Sequence, residues 1–151
     1  MSAKAFADVG VTPGGPVSHG GLTFTWPFQA GTGTPDNTVA NGQTITLTGT
    51  GNTLGFLVTA AYGTAGGTAT VVYTDGTTQD FSLTSSDWFG GPGDVAFTAA
   101  YQNRQGNTTY QGSAYVYYVR VPLLVGKTPS RAGSRPAAPA PSLHVFAMAR
   151  G

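Results

Sequence analysis

Thr68-Ala69-Thr70-Val71-Val72-Tyr73-Thr74-Asp75-Gly76-Thr77-Thr78-Gln79-Asp80-Phe81-Ser82-Leu83 is the stretch that decides the fold class. Two runs rich in Thr, Val, Tyr and Phe flank Asp75-Gly76, and glycine adopts without steric cost the positive φ that a tight hairpin turn demands. The stretch predicts an antiparallel hairpin, Thr68–Thr74 against Thr77–Leu83. Its register stays open: a two-residue loop and a three-residue loop with a bulge at Gly76 pair different residues across it.

Working outward, Leu54-Gly55-Phe56-Leu57-Val58-Thr59-Ala60 is apolar enough to be a central strand, reached from Gln43–Thr48 through the turn-like Gly49-Thr50-Gly51-Asn52. Leu22-Thr23-Phe24-Thr25-Trp26 alternates strictly until Pro27, which puts Trp26 in phase with Leu22 and Phe24 and hence in the core. Downstream, Gly90-Gly91-Pro92-Gly93 breaks the chain before Val95–Ala100, and the polar run Gln102–Gln111 reads as a loop. Ala114–Leu123 sets Tyr115, Tyr117, Val119 and Val121 against Val116, Tyr118 and Arg120, and Leu143–Ala149 is the last strand. Residues 128–142 hold Pro129, Pro136, Pro139 and Pro141 and read as a Pro-rich loop, because each proline removes a ladder donor. Residues 1–20 read as an irregular lead-in. Some eight short strands between turn signals, with no useful helical period, predict a single all-β domain, a sandwich or barrel.

Composition agrees. A chain of 151 residues suits one domain, and its 23 glycines and 10 prolines imply many turns between short elements. Charged residues are only 9%, against about 25% in an ordinary soluble domain, with Thr taking their place on the surface and no Glu at all. Net charge is +1, and although Arg120, Lys127, Arg131, Arg135 and Arg150 all follow Asp94, the last acid, this is no dense basic stripe of a nucleic-acid binder. Absence of cysteine excludes disulfides and thiolate metal sites. No run approaches the roughly 20 apolar residues of a membrane helix, and residues 1–20 lack a basic segment followed by an apolar one, so any export signal is expected outside this stretch.

Several segments, taken in order, carry a resemblance: Gly10-Val11-Thr12-Pro13-Gly14-Gly15, Phe24-Thr25-Trp26-Pro27, Gly33-Thr34-Pro35-Asp36-Asn37, Leu54-Gly55-Phe56-Leu57, Tyr73-Thr74-Asp75-Gly76-Thr77-Thr78, Asp87-Trp88, Gly126-Lys127 and Leu143-His144-Val145-Phe146-Ala147-Met148-Ala149. In this order the chain resembles the accessory all-β domains appended to secreted actinobacterial glycoside hydrolases. The resemblance implies an antiparallel β-sandwich of galactose-binding-like, jelly-roll type. It further implies a non-catalytic carbohydrate-binding or accessory role, a polysaccharide or glycan partner, and a neighbouring catalytic domain in a secreted parent polypeptide. Two departures stand out. Such domains carry a further strand before the position of Ser2, and a strand after the Gly-Lys step where this chain has its Pro-rich 128–142 segment; together they put one edge strand in question.

Sugar recognition needs a flat apolar platform for the C–H face of the ring, with amides, carboxylates or Arg for the hydroxyls. Trp88, beside Asp87 and before the Gly-rich break, is the candidate platform, joined by Tyr101, Asn103, Arg104, Asn107 and Tyr110 on the next loop. The alternative is that Trp88 caps the core while Asp87 caps a turn. Asp36 with Asn37 falls short of the six to eight oxygens of a calcium site, so an Asx-turn is expected there and no cofactor. His19 and His144 read as surface or strand residues. Catalysis would need a general acid/base pair; with no Glu, and Asp80 and Asp87 on one strand and its exit, the chain is not expected to be an enzyme. Two other readings are a structural sandwich that packs on a catalytic domain without binding sugar, and an adhesion or assembly module using an open strand edge.

Overall fold

The computed structural model describes residues 3–28, 35–104, 108–134 and 141–151. In chain order the elements are a short helix α1 (Ala3–Ala7) and strands β1 (Pro16–His19), β2 (Leu22–Thr25), β3 (Thr38–Val39), β4 (Thr44–Thr46), β5 (Thr53–Ala61), β6 (Ala65–Tyr73) and β7 (Thr78–Ser85). They continue with β8 (Asp94–Ala99), β9 (Gln102–Arg104), β10 (Thr108–Tyr110), β11 (Ala114–Pro122), β12 (Pro129–Ser134) and β13 (Ser142–Arg150). Five strands form one sheet in the order β3-β13-β5-β11-β8 and four form another, β4-β12-β6-β7; β1-β2 and β9-β10 are separate hairpins, and every strand pairing is antiparallel. The protein is therefore all-β with open antiparallel sheets, two of them stacked as in a sandwich.

The β6-β7 hairpin resolves the open register. Val72 pairs with Thr78, the Tyr73 N–H reaches the Thr77 carbonyl at 2.9 Å, and Gly76, at φ 84°, donates to the Tyr73 carbonyl at 3.0 Å. This is the three-residue loop, with Gly76 supplying the left-handed position. The Lys127 ammonium, 2.6 Å from an Asp75 carboxylate oxygen, closes over the turn and, with the Thr77 donors, holds that carboxyl well below the usual carboxylate range.

Between the two sheets lies one core. The five-stranded sheet contributes Leu54, Phe56, Val58 and Ala60 of β5, Tyr117 and Val121 of β11 and Leu143 of β13; the other contributes Ala69, Val71 and Tyr73 of β6, Leu83 of β7 and Ala132 of β12. A second core covers the outer face of the five-stranded sheet, where Leu57, Val116 and Tyr118 meet Val17, Leu22, Phe24 and Trp26 of the first hairpin and its flank, and Phe6 of α1. Covered on both faces, β5 is buried along its seven inner residues, the burial that its uninterrupted apolar run requires. Gly55 is the contact point of the layers: a Cβ there would lie 2.5 Å from Leu22 Cδ1, 2.8 Å from Tyr118 Cε2 and 2.9 Å from Phe24 Cζ. Trp26 is buried as its phase requires, stacked on Phe146 at 4.8 Å and edge-on to Phe6 and Phe97, both at 5.3 Å.

Three sequence expectations are corrected. Residues 1–20 are not irregular throughout, because α1 and β1 form there and bury Ala5, Phe6 and Val17. Gln102–Gln111 is not simply a loop, since β9 and β10 pair Gln102 with Tyr110 and Arg104 with Thr108. Nor is 128–142 a loop throughout: β12 occupies 129–134, inside the four-stranded sheet between β4 and β6. It is tolerated because Pro129 sits at the strand's first residue, next to a register shift, where a missing ladder donor costs least. The strand after the Gly-Lys step is thus present.

Candidate functional site

One end of the five-stranded sheet carries a cleft of about 240 Å³. Trp88 and Phe146 form its apolar walls, and Asn37, Thr59, Gln102, Asn103 and His144 bring polar groups to it. Phe146 reaches it through a bulge: the register of β13 against β5 shifts between Val145 and Ala147. The ring of Phe146 is thereby sent to the outer core rather than to the space between the sheets. Trp88 is pinned by backbone bonds on both sides, its N–H to the Ala60 carbonyl at 2.8 Å and its carbonyl to the Tyr115 N–H at 2.9 Å. It is half-buried and packs against the outer core while one part lines the cleft.

The polar wall is a chain of hydrogen bonds that no single stretch of sequence announces. Pairing of β13 with β3 sets His144 opposite Val39, and the His144 Nδ1 lies 2.7 Å from Asn37 Oδ1. Asn37 Nδ2 donates to Asp36 Oδ1 at 2.7 Å, so the Asn37 oxygen is the acceptor that faces the ring and Nδ1 carries the imidazole proton. His144 Nε2 then accepts from the Ser142 hydroxyl at 3.1 Å. Burial pushes the His144 pKa down, against the opposing pull of Asp36, and the neutral ring fits this donor pattern. Ser142 is not among the residues lining the cleft, so the array acts as a strut that fixes one wall. Asp36 and Asn37 are thus engaged with the strut, and among the described residues no group of three or more His, Cys, Asp or Glu gathers as a metal site. Opposite, Gln102 is 5% exposed and its Nε2 donates to the carbonyls of Gly112 and Ser113, both at 3.2 Å.

The residues singled out from sequence are divided. Trp88 and Asn103 meet at the cleft. Asn103 also borders a second, more open hollow with Tyr101 and Lys4, where the Tyr101 hydroxyl is tied to Asp8 at 3.2 Å. Tyr110 joins Trp88 through Phe89, with ring centroids 5.7 Å and 4.5 Å apart along the row. Asp87 caps its turn, the alternative set beside sugar contact: its Oδ2 takes the Gly63 N–H at 2.6 Å and its Oδ1 the Phe89 N–H at 2.8 Å. A carboxylate bound to two backbone donors serves loop geometry first. Arg104 is in β9, paired with Thr108, and Asn107 lies outside the described residues.

Sequence reasoning missed Phe89, Asn37, His144, Thr59, Gln102 and Phe146. Phe89 carries a readable signal, an aromatic next to Trp88 and just before Gly90-Gly91, and it is 51% exposed. The others have none, since their meeting depends on long-range pairing. No family model matches the chain, and no curated protein matches it.

Proposed function

We propose that the protein is a non-catalytic carbohydrate-binding module, a jelly-roll accessory domain that holds the catalytic domain of a secreted glycoside hydrolase near its polysaccharide. The observation that carries this reading is the cleft itself, lined by Trp88 and Phe146 together with the exposed amide of Asn103, while Asn37 and Gln102, held by their own hydrogen bonds, fix its polar wall. Aromatic faces accept the C–H surface of a sugar, amides pair with its hydroxyls, and each contact is modest. Among the described residues that line the cleft there is no Asp, Glu, Lys or Arg, which suits neutral sugars. Affinity electrophoresis in gels of plant, fungal and bacterial polysaccharides, with a glycan array, tests it. Retardation in at least one gel is expected, and Trp88→Ala lowers that affinity roughly tenfold, the effect of losing about 1.4 kcal/mol. Wild-type migration unchanged in every gel, with a blank array, overturns the reading.

A second reading, a structural sandwich seated on a neighbouring domain, is favoured by the exposed apolar tip Leu124-Val125 between β11 and β12, where Val125 is 82% exposed. It predicts that Trp88→Ala leaves every glycan interaction unchanged while Val125→Asp weakens association with the adjoining domain.

A further inference from the structure

Beside the cleft the chain holds an unusual residue. Tyr62 is the one non-glycine position with positive φ, 66°, among the described residues, and its side chain is 85% exposed. L side chains other than Asn and Asp rarely adopt this conformation, and a ring so far into water gains little from packing to offset it. The surroundings hold it there. Ala61, one residue before, lines the cleft, and Gly63, one residue after, donates its N–H to Asp87. The other Asp87 oxygen takes the N–H of Phe89. A single carboxylate thereby knots the turn after β5, which carries Tyr62, to the turn after β7, which carries Trp88 and the half-exposed Phe89.

The size of the cleft points the same way. At about 240 Å³ it falls below the roughly 300–1,000 Å³ of a drug-sized binding pocket, so it encloses little more than one sugar ring. Further recognition has to come from the surface beside it, and the exposed aromatics there are Tyr62 and Phe89. Resting on the carbohydrate-binding reading, we infer that Tyr62 is a second sugar-contacting platform outside the cleft and that Asp87 is the residue positioning it. The site accordingly takes a run of neutral sugar units in preference to a single one.

The test uses length series of neutral oligosaccharides, from one to six units, of the gluco-, xylo-, manno-, galacto- and chito- types, titrated by calorimetry into the whole chain. Wild type binds the six-unit member of at least one series at least tenfold more tightly than the single sugar. In Tyr62→Ala that ratio drops below threefold, while Tyr62→Phe restores it. Trp88→Ala weakens short and long members alike. Asp87→Asn, followed by amide NMR, shifts the Gly63 and Phe89 resonances and lowers the length ratio; unmoved amides overturn the role of Asp87. A Tyr62→Ala ratio equal to wild type overturns the platform and leaves the carbohydrate-binding reading standing. Wild type that binds no member of any series overturns both.

Discussion

Replacing Phe6 by Ala removes the ring through which α1 holds the outer layer to the five-stranded sheet. Phe6 is 1% exposed, edge-on to Trp26 at 5.3 Å and to Phe97 at 5.6 Å. Burial of a Phe side chain contributes roughly 1.5–3 kcal/mol, and each aromatic pair adds about 0.5–1.5 kcal/mol. Together they reach the roughly 3–5 kcal/mol typical of Phe→Ala in a core. A helix of only five residues collapses partly into the gap, so the lower end, about 3 kcal/mol, is expected. At about 2–4 °C per kcal/mol for a chain of this size, the melting temperature falls roughly 6–12 °C. Urea unfolding followed by circular dichroism and by Trp fluorescence measures it. An unchanged m-value means that the layer stays docked around a cavity, and a reduced one means that α1 has detached from the folded state. Lys4→Ala, whose ammonium pairs with Asp8 in open solvent, leaves the midpoint in place. A Phe6→Ala cost below about 1 kcal/mol refutes the claim that this segment is part of the core.

Two further outcomes are expected. Gly55→Ala drives a methyl into Leu22, Tyr118 and Phe24, and overpacking of this kind costs about 1–3 kcal/mol; a denaturation midpoint equal to wild type would show that the layers are not in contact there. Because burial lowers the His144 pKa, the unfolded chain binds a proton that the folded chain refuses between that lowered value and the ordinary one near 6.5. Stability from this group is full above pH about 6.5 and declines as the pH falls below it. Melting curves between pH 7.5 and 5 show a steeper decline for wild type than for His144→Gln, and parallel curves would refute the assignment.

What was legible in the sequence was what local chemistry dictates. Asp75-Gly76 has one good use between two strand-like runs, and the structure makes that turn. The alternation from Ala114 to Leu123 reports two buried faces, and Tyr117 and Val121 indeed face one core while Val116 and Tyr118 face the other. The β1-β2 hairpin was missed although Gly20-Gly21 is a fair turn signal, because Pro16 and His19 dilute a four-residue strand. β12 was missed because the prolines of 128–142 were read as one group, whereas only Pro129 falls within the strand and Pro136, Pro139 and Pro141 come after Ser134. At the site, Trp88 stood out as an aromatic before a glycine break. The pairing of Asn37 with His144, 107 residues apart, exists only once β13 has docked on β3, and no pattern within either segment encodes it.

The order in which strands enter the two sheets also bears on synthesis. Among the described residues β12 is the sole partner of β4, and β13 the sole partner of β3, yet both insert at interior positions, against β6 and β5 respectively. While a ribosome is still adding residues 129–150, the nine-residue strands β5 and β6 each present an unpaired flank, a template for contact with neighbouring nascent chains. Translation at about 5–20 residues per second keeps that exposure to seconds. A pause while residues 129–150 are being added lengthens it.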